Sequence, residues 1–164
     1  VTSAPPDRRV DDGLLVVCAL SWVAALIHLK AAFQHLDEYV PYAIAFAVLA
    51  AAQLWWGFAV YRSATRRLLW AGTAASLLVV AVWVASRTSG LPLGPTPWRP
   101  EPVGALDLLA SADEALLAAL VLGRLGLPAR RGGGAWTGHV LAAAALGLIL
   151  LSSLTLVGGH GHGH

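Results

Sequence analysis

The sequence has too little charge to make a soluble domain, and too few thiols for a disulfide or a thiolate metal cage. Only 12% of its 164 residues are charged, where a soluble chain carries about a quarter. With 57% hydrophobic residues and a mean hydropathy of +0.68, that shortage places the chain among integral membrane proteins. Cys18 is the one cysteine, so an internal disulfide and a cysteine-ligated ion are excluded. It reads as a small apolar residue inside a span. Methionine is absent, which removes the thioether ligands that soft copper sites favour. Lys30 is the only lysine, the net charge is +2, and the arginines fall in short clusters between apolar runs, so nucleic acid is excluded as a partner. No Cys-x-x-Cys-His, Gly-x-Ser-x-Gly, His-Glu-x-x-His or P-loop pattern is present.

What is present is a series of long apolar runs, and the expected fold is all-α: an integral membrane bundle of five transmembrane helices. Residues 42–61, 68–86, 104–123 and 135–158 are each long enough to cross a hydrocarbon core of about 30 Å. The first run spans as 13–36 if it continues through Lys30, whose ammonium can snorkel to the headgroups. A cleaved signal peptide competes for this run, but Asp11 and Asp12 beside the basic residues argue against it. Residues 1–12 then form a cytoplasmic segment, 13–158 the membrane domain, and 159–164 an extracytoplasmic tail. Orientation follows from arginine. Arg8, Arg9, Arg62, Arg66, Arg67, Arg124, Arg130 and Arg131 lie on one side, against Arg87, Arg99 and Lys30 on the other. That bias puts the N-terminus inside and the C-terminus outside. The outer connection 87–103 holds five of the nine prolines and reads as a stiff lid anchored by Trp98, or as a solvated linker.

Polar residues interrupt these runs at two depths. With span one ending near Leu36, His28 lies about 12 Å down; Glu114 and Gln53, counted from Gly104 and Tyr42, lie about 15 Å down. His35, Glu38, Asp107 and Arg87 form a shallower level. His28 and His35 are seven residues apart, as are Asp107 and Glu114, so each pair shares one face of its helix. The expectation is a two-rung ladder with histidine opposite carboxylate on both rungs. Ionisable residues within a membrane mark functional sites by default; the alternative is structural His–Glu and Arg–Asp pairs that hold helices together. Asp113 and Ser111 fall off this face and are expected to pack, or to line a cavity, without a role.

Imidazole with carboxylate suits zinc, copper, iron or nickel, and equally a proton. His28 and His35 are about 10 Å apart along the axis, too far to share one ion. His139 starts span five at the opposite face from His28, so no haem is expected within one chain. The tail "GGHGHGH" adds His160, His162 and His164 on the side of both rungs. The stretches "SRTSGLPLGPTPWRPEPVGALDLLASADE", "IHLKAAFQHLDEY" and "AAAQLWW" together resemble a group of short polytopic membrane proteins from high-GC actinobacteria. The resemblance implies a multi-pass protein of a bacterial plasma membrane and carries over no activity, substrate or cofactor.

Three functions are therefore expected in order. The first is handling of a transition metal ion, copper or zinc, at His28, His35, Asp107, Glu114 and the tail histidines, with Glu38, Gln53 and Arg87 in support. The second is an accessory subunit, in a homo-oligomer or a larger membrane complex, packed through small-residue pairs such as Gly72/Ser76 and Ala119/Gly123. The third is an intramembrane enzyme in which His28 or Glu114 is the acid/base and Arg87 anchors the substrate.

Overall fold

The structure, a computed structural model, describes residues 11–126. Among them are four helices: α1 (Asp12–Gln34), α2 (Val40–Arg62), α3 (Arg66–Thr88) and α4 (Ala105–Gly126). Their ends lie within about a turn of the first four apolar runs. The fifth run, 135–158, and the tail, 159–164, lie outside the described residues.

Each helix begins where the local chemistry satisfies its free N–H groups. The Asp11 carboxylate accepts from the Gly13 N–H at 2.9 Å and starts α1, with Asp12 in the first turn. Pro41 opens α2, where a missing N–H costs nothing. The Thr65 hydroxyl accepts from Leu68 N at 3.3 Å and caps α3. Asp107 reaches back to accept the Gly104 N–H at 3.2 Å, the reciprocal half of a capping box, at the head of α4.

Three of the four helices, α1 to α3, are long and apolar enough to cross a membrane. What sets α4 apart is charge: Asp107, Asp113, Glu114 and Arg124. The distribution of polarity fits a lipid surround. Phe33, Ile44, Val48, Trp55 and Leu78 face outward, while Ser21, His28, Thr73, Asp113 and Glu114 are buried. A soluble bundle would carry the opposite arrangement.

The helices alternate in direction. α1 packs against α2 and α4, and α4 packs against α3, but α2 and α3 hardly touch. At the end shared by Asp11 and Arg124 the bundle is solid. Val17, Cys18 and Leu20 of α1, Trp56 and Val60 of α2, Leu69 of α3 and Leu117 and Val121 of α4 form one apolar cluster there. The opposite half is hollow, and the polar residues collect in it. In lipid, apolar packing draws little from the hydrophobic effect, so close fit and internal polar contacts carry the association.

At the solid end, Arg124 donates to Asp11 at 2.5 Å and ties the last turn of α4 to the start of α1. That hydrogen bond is the main reason the Asp11 carboxyl sits below its ordinary value of 3.8; its slight burial pushes the other way. A carboxyl lowered in the folded state contributes stability above its unfolded value, and loses it as pH falls through the folded one. Asp11→Asn is therefore expected to lower the melting temperature slightly at neutral pH and to match the wild type near about pH 2. Thermal unfolding in detergent at the two pH values checks this.

Candidate functional site

The deep site gathers one residue from each of α1, α2 and α4. His28 Nε2 lies 3.3 Å from Glu114 Oε1, and the Gln53 side-chain amide donates to the same oxygen. Glu114 is 0% exposed and His28 3%. The Ser21 hydroxyl donates to the Gln53 carbonyl at 2.7 Å and fixes α2 against α1 at this level. The depth count along each run thus brings His28, Gln53 and Glu114 to one place, as the sequence leads one to expect.

The shallow level is built differently. His35 pairs with Glu38 at its own helix end, Nδ1 to Oε2 at 3.0 Å, rather than with Asp107. Arg87 takes Asp107 instead, Nη2 to Oδ2 at 2.7 Å, and its Nη1 donates to Glu101. A permanently charged, forked guanidinium outcompetes an imidazole for a carboxylate within reach of both. The two histidines are themselves separated by a ring. The Phe46 ring stacks on His28 at 5.8 Å and on His35 at 5.3 Å. Together these distances fill the two-turn separation of about 10.5 Å between the histidines, so an apolar ring lies between them.

Asp113, expected to pack without a role, is a residue the sequence reading missed. It is 0% exposed, and neither carboxylate oxygen has a hydrogen-bond partner. The signal was available: an acid in an apolar run, next to Glu114, with no basic residue nearby in the helix. Among the described residues six buried side-chain polar atoms lack a partner. Four are acceptors at the deep level: Gln53 Oε1, Glu114 Oε2 and both oxygens of Asp113. Unpaired buried acceptors of this kind are costly, and a proton or a cation is what satisfies them. Among the described residues no three His, Cys, Asp or Glu side chains converge as a ligand set. The site's own donors are thus His28, Glu114 and the amide oxygen of Gln53. His160, His162 and His164 lie outside the described residues.

Above the deep site opens a cavity of about 350 Å³, lined by residues of all four helices and the α3–α4 connection. His28, His35, Arg87, Glu101 and Asp107 all contribute to its wall. A second, smaller cavity of about 170 Å³ lies along the α2–α3 seam, with Gln53 in its lining. Leu49 and Val79 border both. Glu114 is therefore approached by His28 from the larger cavity and by Gln53 from the smaller.

The α3–α4 connection is tied down as well as stiff. Tyr42 donates to Leu93 O at 2.5 Å, Glu101 N–H to Ser86 O at 3.0 Å and Trp98 N–H to Leu91 O at 2.8 Å. Gly94, at φ +124°, lets the chain pass over Tyr42, whose hydroxyl lies 2.4 Å from where a Cβ would stand. Trp98 itself is exposed. Arg87 joins this connection, through Glu101, to α4, through Asp107. Arg87→Ala is expected to speed backbone hydrogen exchange across residues 91–101. The cost in stability is about 1 kcal/mol, because both carboxylates stay more than a third exposed, at 38% and 40%. Exchange mass spectrometry on the detergent-solubilised protein measures it.

No protein family, curated protein or solved structure matches the chain.

Proposed function

We propose that this is a small membrane protein that takes a cation from its outer side into the bundle, with a transition metal ion, zinc or copper, as the cargo. The observation that carries the reading is the surplus of buried acceptors around Glu114, which carries a free oxygen beside the His28 imidazole. The charge of the surroundings agrees: Glu101 and Asp107 in the cavity wall outnumber Arg87, with Glu114 behind them. The 3.3 Å between His28 Nε2 and Glu114 Oε1 also equals the edge of a coordination tetrahedron with bonds of about 2.0 Å. Gln53 Oε1 would be the third donor, and water or a tail imidazole the fourth.

This reading includes the finer topology: five spans, an inner N-terminus and an outer C-terminus in a bacterial plasma membrane. Support for it is that Asp11, the 62–66 turn and Arg124 sit at one end, whereas His35, the proline-rich lid and Asp107 sit at the other. The tail His160, His162 and His164 would then capture the ion beside the cavity mouth. With a solid apolar cluster below Glu114, delivery or sensing fits better than permeation through one chain.

The test is element-resolved mass spectrometry after loading, on the full chain and on one ended at Gly158. Near-stoichiometric metal in both supports the intramembrane site. Metal lost with the tail would restrict binding to the tail, and none in either would end the metal reading.

A further inference from the structure

The six unpartnered atoms divide by chemistry as well as by depth. The four acceptors lie around Glu114; the remaining two, Trp83 Nε1 and Arg87 Nε, are donors. They belong to residues four apart on α3, hence on one face of it, and both side chains line the 350 Å³ cavity. A lone metal ion accounts for neither fact. It offers these N–H groups nothing to bond, and the cavity is at the lower end of the size range for small organic ligands. Its wall is largely apolar and aromatic, with Phe46, Leu78, Val82 and Trp83 around the donors.

We infer that this cavity binds a neutral, lipid-soluble organic molecule presenting a carbonyl oxygen to Trp83 and Arg87. Neutrality follows from the wall's carboxylates. Glu101 and Asp107 already engage both terminal nitrogens of Arg87, so a carboxylate or phosphate would meet two negative charges and no free positive one. A carbonyl needs only the N–H groups left over. Both nitrogens are closed to water, so the oxygen reaches them with an adjustment of the side chains. Entry is from the side: α2 and α3 hardly touch, and Leu49 and Val79 line the wall on both sides of their seam. A chain attached to the carbonyl-bearing head can lie along that seam. The same chemistry occurs in an isoprenoid quinone and in the ester groups of a neutral glycerolipid.

The inference stands apart from the cation reading, because its probes contain no ion and its variant leaves His28, Gln53 and Glu114 intact. Equilibrium binding is measured on the full chain in detergent with two radiolabelled probes, a short-chain benzoquinone and a dioctanoylglycerol, for wild type and Trp83→Phe. The expected result is saturable one-to-one binding of one probe, weakened about fivefold by Trp83→Phe, the size of one neutral hydrogen bond. The probe that binds identifies quinone or lipid ester as the source. Binding of neither, or equal affinity in wild type and Trp83→Phe for whichever binds, overturns the inference.

Discussion

Replacing Glu114 by glutamine is expected to weaken binding of zinc by about 100-fold or more, while the metal-free protein stays folded. Removing even an outer-shell partner of a metal ligand costs about 10- to 100-fold; here the carboxylate that meets His28 among the described residues is lost. The amide keeps the shape of the side chain, and its carbonyl can still accept from Gln53 and from the imidazole. It also removes a group whose ionised form is expensive in a site 0% exposed. Without metal, then, melting should be unchanged or slightly raised. Calorimetric titration with zinc and a metal-free melt, on the same preparation, give the two numbers. Unchanged affinity would remove Glu114 from the site.

Gly72→Ala should destabilise the bundle by about 2 kcal/mol, a large effect for one methyl group. A Cβ at Gly72 would stand 2.1 to 2.6 Å from three atoms of the Trp56 ring. That ring cannot simply tilt away. It is part of the apolar cluster, and its Nε1–H donates to Leu68 O at 2.8 Å, across the seam from α2 to α3. The better helix propensity of alanine, about 1 kcal/mol, offsets only part of the overpacking. Because α2 and α3 hardly touch elsewhere, displacing Trp56 removes the main contact that closes the seam. Denaturation in mixed detergent measures the loss; a variant as stable as the wild type would contradict this packing.

Much of this architecture is legible in the sequence because polar residues are conspicuous in apolar runs. Counting from the ends of three runs that meet at one side of the bundle is enough to put His28, Gln53 and Glu114 together, since an α-helix rises a fixed 1.5 Å per residue. The heptad spacing of His28/His35 and Asp107/Glu114 marks their faces for the same reason. The same reasoning cannot see Phe46 between the histidines, for an aromatic residue in an apolar helix carries no signal of where its ring goes. It puts Asp107 at the level of both His35 and Arg87 but cannot choose between them, because the path of the proline-rich connection, which delivers Glu101 to Arg87, is not a property of any periodicity. Asp113 lies about 100° around the helix from Glu114, off the face that the heptad spacing marks. That logic assumes one buried face, whereas α4 packs on both α1 and α3 and buries two. The open α2–α3 seam is equally silent, since helices apolar on all sides give no indication of which neighbour they prefer.

X-ray absorption at the zinc edge is the most direct measurement of the central proposal. The sample is the protein ended at Gly158 and loaded with one equivalent of zinc. The account predicts a four-coordinate shell of nitrogen and oxygen at about 2.0–2.1 Å, with the multiple-scattering signature of one imidazole, lost in His28→Ala. A shell of oxygen alone, or a spectrum unchanged by His28→Ala, would contradict it.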